Sequence, residues 1–194
     1  MAYVVKKTIV LVGMMGAGKT AVGQALARAL EVPFLDSDEE IRRAANMDIA
    51  EIFARDGEAF FRDREAEIIA RLLQSERCVL STGGGAFLAE RNRAAIREAG
   101  VAVWLDAPLD LLWERVRHKD TRPLLRTPDP YATLAEIYAA RVPVYALAEL
   151  SVEARAHFSI EQMADQVIEA LKSRPDVLEV QKPQETTQKK LITR

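Results

Sequence analysis

"TIVLVGMMGAGKTAVGQALARAL", residues 8–30, carries most of the information about the fold. It opens on an unbroken apolar run, the pattern of a strand covered on both faces. G-x-x-x-x-G-K-[ST] follows from Gly13 to Thr20. Val22, Leu26, Ala29 and Leu30 then form one helical stripe. A strand delivering a glycine-rich loop to a helix N-terminus is an arrangement that cradles phosphates. Gly16, Ala17, Gly18, Lys19, Thr20 and Ala21 are the expected contacts to a nucleoside triphosphate. Lys19 would reach the β- and γ-phosphates, and the Thr20 hydroxyl would ligate Mg²⁺. A tight strand–helix turn without nucleotide is the bland alternative.

Outward from this stretch, short apolar runs alternate with longer helical patterns, which predicts a parallel α/β sheet. The other strand candidates are 32–36, 78–82, 101–106 and 148–153. Helices are expected over 19–30, 48–74 with a break near "DGEAF", 88–99, a segment opening at Pro108, 131–147 and 160–172. Asp48 is the expected N-cap of the second of these, and Gly100 the C′ glycine of the third. Pro143 should kink or end the 131–147 helix. The stretch 115–130, with five arginines and lysines and three prolines, fits no regular element. It reads as a mobile lid within a single domain of residues 1–172, or as a plain solvated loop. From Ser173 the chain turns polar and reads as a disordered or loosely attached tail, 173–194.

With 194 residues the chain suits one domain. A net charge of −2 gives no reason to expect a nucleic-acid or membrane-surface partner. Cys78 is the only cysteine, so no intramolecular disulfide forms and a buried thiol is the expectation. No signal-peptide pattern or long apolar span occurs, so the cytoplasm is the expected compartment.

Several charged residues are candidates for chemistry. Asp36 and Asp38 would face the same side if the strand continued through them, at the carboxyl edge where parallel sheets bind ligands. One could hold Mg²⁺ and the other a hydroxyl acceptor; "DSD" could equally cap a helix. Arg62 and Glu65 lie at i, i+3, a spacing that a solvated ion pair also explains. Arg141 alone reads as a surface arginine. Arg122 is the first choice for a lid arginine that steadies the transferring phosphoryl group, and Arg115 could lie against the adenine or the phosphates. "STGGGAF" (81–87) adds three consecutive glycines, either a flexible turn or a place where backbone must come close to something.

In this order and spacing, "GMMGAGKT", "FLDSD", "GEAFFRDRE", "STGGGAF", "TRPLL" and "RVPVY" closely resemble the shikimate kinase family over roughly residues 8–172. The resemblance implies a P-loop, nucleoside-monophosphate-kinase-like fold: three layers, with a five-stranded parallel sheet flanked by helices. It implies a usually monomeric enzyme that transfers a phosphoryl group from ATP to the 3-hydroxyl of shikimate, with Mg²⁺ as cofactor. By position, Asp36 with Thr20 looks like the metal side. Lys19, Asp38 and Arg122 look catalytic. Asp38, Arg62, Gly83, Gly84, Gly85 and Arg141 look like the shikimate site, with Arg62 and Arg141 on the carboxylate. The rival readings are another small-molecule kinase, acting on gluconate or a nucleotide, and an ATP-binding module without catalysis. Neither accounts for the combined Asp38, Arg62, Gly84 and Arg141 set.

Overall fold

Where the five apolar runs lie, the chain forms five parallel strands. The computed structural model describes residues 2–75, 77–118 and 123–181. In chain order the elements are β1 (Ala2–Val5), β2 (Thr8–Val12), α1 (Lys19–Leu30), β3 (Phe34–Asp36), α2 (Ser37–Ala45) and α3 (Ile49–Gln74). Then come β4 (Val79–Ser81), α4 (Glu90–Ala99), β5 (Gly100–Asp106), α5 (Leu109–Val116), α6 (Pro130–Tyr145), β6 (Leu150–Glu153), α7 (Ile160–Leu171) and β7 (Leu178–Gln181). Short 3₁₀ turns occupy Ala86–Leu88 and Pro123–Leu125.

The main sheet runs β3-β4-β2-β5-β6, all parallel, with Ile9 opposite both Val79 and Val101. Every residue of β2 and β4 is buried, as expected of central strands with helices on both faces. The chain leaves β2 toward β3 on one side and returns through β5 on the other. That reversal opens a crevice beyond the carboxyl end of β2, where such sheets bind ligands. Among the described residues, no helix is long and apolar enough to cross a membrane.

Of the local expectations, the break near "DGEAF" and the helix end after Pro143 hold, while others need correction. Asp48 occupies the N-cap position of α3, but its carboxylate caps no backbone N–H. The break in α3 is at Gly57, where φ is 84° and ψ 171°. Pro108 precedes α5 as its N-cap residue rather than lying in the first turn. Gly100 is no left-handed helix cap: its φ is −145° and it begins β5. A glycine is needed there because a Cβ would stand 2.6 Å from the Thr8 carbonyl of the neighbouring strand. Pro143 lies inside α6, and with its N–H missing the helix runs only two residues further. The 115–130 stretch is more regular than expected, since α5, the 3₁₀ turn and the start of α6 all enter it; its residues 119–122 lie outside the described residues.

The tail expectation fails for its first nine residues. Strand β7 pairs antiparallel with β1, Ala2 opposite Gln181 and Val5 opposite Leu178, and Val177 and Leu178 are buried. Residues 182–194 lie outside the described set. Asp176 anchors this clasp through Arg174 (both bonds 2.8 Å) and Lys7 (3.2 Å). Those cations hold the Asp176 carboxyl well below the usual carboxylate range. Because the folded value is depressed, the stabilisation is complete above the ordinary aspartate range and is lost as pH falls through the depressed value.

Replacing Leu178 by Ala should cost about 2 kcal/mol and lower the thermal midpoint by about 4–8 °C. Val180→Ser, two residues further along the same strand at an exposed position, should stay within about 0.5 kcal/mol. Thermal unfolding followed by circular dichroism checks both. Equal midpoints for wild type and Leu178→Ala would mean the clasp is not part of the folded unit.

Candidate active site

The loop between β2 and α1 reaches its shape through Gly16 (φ 83°) and Gly18 (φ 96°), the latter being the N-cap residue of α1. With glycine there, no side chain caps the first turn, and no acidic residue lies in it. The N-terminal N–H groups and the positive end of the helix dipole therefore face a ligand space. Ala17 is buried, and Ala21 begins the second half of that first turn. Lys19 folds back over the loop, its Nζ donating to the carbonyls of Gly13 (2.8 Å) and Met14 (3.0 Å). Arg115, from α5, donates to the carbonyls of Gly16 (3.1 Å) and Ala17 (3.3 Å). That sets Arg115 against the phosphate loop, and burial lowers its pKa without removing its charge.

Asp36 is the last residue of β3, and the strand does not continue. The chain turns directly into α2, so Asp38 lies in a helical first turn and the two carboxylates are not strand neighbours. Asp36 is the helix cap that "DSD" allowed, and it also meets Thr20. Its Oδ1 caps the N–H groups of Asp38 (3.0 Å) and Glu39 (3.3 Å), while its Oδ2 accepts from the Thr20 hydroxyl at 3.3 Å. A carboxylate and a hydroxyl side by side are hard oxygen donors, suited to Mg²⁺, which takes few protein ligands.

After β4 the three glycines meet three charged side chains. A Cβ on Gly83 would stand 2.8 Å from Asp38 Oδ1. One on Gly84 would stand 3.2 Å from Arg141 Nη1, and one on Gly85 would lie 2.5 and 2.7 Å from the two terminal nitrogens of Arg62. Residues scattered over α2, α3 and α6 thus converge on one stretch of bare backbone. Any side chain there would push a charged group out of place.

The electrostatics follow from partial burial. Burial and the neighbouring Asp36 raise the Asp38 pKa, against the opposing pull of Lys19, Arg42 and Arg62. Arg62, 27% exposed, donates to Glu65 at 2.8 Å, and Glu65 is only 1% exposed. This ion pair is therefore not the solvated one that its spacing suggested. Burial raises the Glu65 pKa, and its Oε1 has no hydrogen-bond partner among the described residues. Glu65, together with the more exposed Glu58 that accepts from Arg62 Nε and Nη2 at 3.4 Å, holds the Arg62 head beside Gly85.

Local reading also missed the supports of the glycine stretch. Ser37 accepts from the Gly83 N–H (3.3 Å), and buried Asn92 donates to the Ala86 carbonyl (2.8 Å). Arg93 donates to the carbonyls of Phe87 and Leu88 at 2.7 and 2.8 Å. No periodicity marks these residues, because their partners lie on a turn that is itself invisible to pattern. Arg122 lies outside the described residues.

The model of the shikimate kinase family matches residues 15–172. The chain belongs to the shikimate kinase family. It is 69% identical to the shikimate kinase of Cereibacter sphaeroides over 174 residues, 90% of this chain and 87% of that one. To the shikimate kinase of Ruegeria pomeroyi it is 68% identical over 179 residues, 92% of each chain. The solved shikimate kinase from Acinetobacter baumannii, in complex with shikimate, superposes with a TM-score of 0.81 at 36% identity, over 86% of this chain and 93% of that one. The activity is accordingly that of a small-molecule kinase: ATP-dependent phosphorylation of the shikimate 3-hydroxyl, giving shikimate 3-phosphate and ADP, on the route to aromatic amino acids.

The raised Asp38 pKa gives a stability prediction with a definite sign. The folded state holds this proton more tightly than the unfolded chain, so stability is lost as pH rises from the ordinary aspartate range through the raised value. Asp38→Asn removes that cost. Its thermal midpoint should exceed that of wild type by a few degrees at pH 8, and the gap should shrink toward pH 4. A midpoint below wild type at pH 8 would refute this account of the carboxylate.

Proposed function

We propose that the crevice beyond β2 and β4 performs this transfer with the following division of labour. Gly16, Ala17, Gly18, Lys19, Thr20, Ala21 and Arg115 hold ATP. Asp38, Arg62, Gly83, Gly84, Gly85 and Arg141 hold shikimate. Lys19, Asp38 and Arg122 serve the chemistry. The observation that carries the reading is the convergence of Asp38, Arg141 and Arg62 on Gly83, Gly84 and Gly85. Two guanidinium forks suit a small carboxylate. Bare backbone admits a bulky ring, and a carboxylate beside it suits a hydroxyl.

The hydroxyl oxygen attacks the γ-phosphorus in line, and the bond from that phosphorus to the β–γ bridging oxygen breaks as ADP leaves. Asp38 receives the hydroxyl proton, and its raised pKa makes it a better acceptor than an exposed aspartate. Lys19, which the loop carbonyls hold beside the crevice, neutralises phosphate charge. Arg122 adds to this when the 115–130 segment covers the site. Thr20 and Asp36 are the residues that would hold Mg²⁺, directly or through water, and the ion would neutralise phosphate oxygens. With a loose transition state, positioning and electrostatics supply most of the acceleration. The reading calls for a monomeric, cytoplasmic enzyme, since all its residues belong to one chain and its co-substrate is Mg-ATP.

A coupled assay of ADP release tests the assignment, with shikimate, gluconate and AMP as acceptors. Shikimate alone should stimulate turnover. Arg62→Ala should raise KM for shikimate about 10–100-fold with KM for ATP unchanged, as loss of a charged hydrogen-bond partner implies. Asp38→Asn should lower kcat about 100-fold or more. For wild type the acid limb of kcat/KM should lie above the ordinary aspartate range. Unchanged KM for shikimate in Arg62→Ala would show that the arginine had been assigned to the wrong ligand.

A further inference from the structure

Tyr145 ends α6 one turn after Arg141, and the i, i+4 spacing puts both side chains on one face of the helix. It is 0% exposed, and its ring lies against Trp104 of β5 with centroids 6.4 Å apart and planes inclined by 30°. A fully buried tyrosine brings a hydroxyl that must find a partner. Here it donates to the carbonyl of Gly84 at 2.5 Å.

That carbonyl has a particular place in the glycine stretch. The turns on either side close on Gly83, which accepts from Ala86 N–H (3.1 Å), and on Gly85, which accepts from Leu88 N–H (3.2 Å). Among the described residues no backbone N–H reaches the Gly84 carbonyl between them. The middle peptide of the triplet is thus oriented by a side chain from another element. A Cβ on Gly84 would stand 3.2 Å from Arg141 Nη1 and 3.7 Å from the Tyr145 hydroxyl, so all three groups share one small volume.

We propose that Tyr145 is a positioning residue for shikimate: through the Gly84 carbonyl it sets the gap between the glycine backbone and the Arg141 guanidinium. The inference rests on the reading that Gly84 and Arg141 face the substrate. One rigid, two-torsion side chain then links the helix bearing the arginine to the peptide opposite it. Neither can drift without breaking the bond or lifting the ring off Trp104. Burial also raises the tyrosine pKa, which keeps the hydroxyl a donor across the working pH range. Removing the hydroxyl leaves the Gly84 carbonyl unpaired, and its peptide is then free to rotate toward another donor.

Tyr145→Phe keeps the ring and deletes the hydroxyl, the donor to Gly84 that Arg141 also faces, so it is the test. KM for shikimate should rise about 10-fold, as for one lost hydrogen bond to a group left unpaired. KM for ATP should stay within about twofold, the range over which the phosphate loop is undisturbed. Arg141→Lys also widens the gap, and the double variant should show less than the product of the two single effects. Tyr145→Phe that lowers the thermal midpoint but leaves KM for shikimate unchanged, or raises both KM values alike, overturns the inference and leaves a packing role. Arg141→Ala, run alongside, separates the two levels. If it leaves KM for shikimate unchanged, the substrate-site reading itself fails. If it raises KM while Tyr145→Phe does not, only the tyrosine's role fails.

Discussion

The close approach of Asp38, Arg62 and Arg141 to the backbone of Gly83–Gly85 is the constraint on which the rest of the site depends. Three charged heads lie within a Cβ's reach of three successive residues, so a side chain there would displace them. The sheet makes this possible, because β3 and β4 are adjacent and parallel and release α2 and the glycine stretch at the same edge. From the other side, α6 brings Arg141 and Tyr145 over the carboxyl end of β5. The P-loop rises from β2, between them. The P-loop and the glycine stretch are therefore neighbours by topology, without a separate domain to bring them together.

Holding polar groups in this crevice has a cost, and the molecule distributes it unevenly. Glu65 is almost wholly buried, with one oxygen unpaired among the described residues, an arrangement that costs free energy unless it fixes something else. What it fixes is Arg62, which it holds more closely than the exposed Glu58 does. Asp38 is kept near a second carboxylate and partly out of water. Both are places where stability is traded for geometry, as functional sites commonly are. The clasp of β1 on β7 lies away from this and contributes stability alone, through two buried aliphatic side chains and the pairing of Asp176.

Much of this was legible in the sequence, for identifiable reasons. Strands buried on both faces read as unbroken apolar runs, so β2, β4 and β5 emerged in place, the shorter edge runs of β3 and β6 followed from the alternation with helices, and the phosphate loop has a fixed spacing. What failed was non-local. Residues 2–5 and 178–181 are four-residue segments without pattern, and only their mutual pairing, some 175 positions apart along the chain, makes them strands. Asp36 and Asp38 fit the period of a strand as readily as a helix cap, and nothing local in "FLDSDEE" decides that the helix begins as early as Ser37. The spacing of Arg62 and Glu65 was right, yet its burial depends on how α3 packs beside the 3₁₀ turn. Tyr145, Asn92 and Arg93 looked like ordinary helical residues, because their partners are carbonyls of a distant turn.

The central claim is that the bare backbone at 83–85 exists to seat shikimate between the arginines. Isothermal titration of shikimate into the wild-type chain and into Gly85→Ala, with gluconate as the control ligand, tests it without relying on turnover. The account predicts saturable one-to-one binding of shikimate by wild type, none of gluconate, and loss of shikimate binding in Gly85→Ala, while ATP binding and the thermal midpoint of the variant stay close to wild type. Shikimate binding of unchanged affinity in Gly85→Ala would contradict it, because the added Cβ would then occupy space that no ligand and no arginine requires.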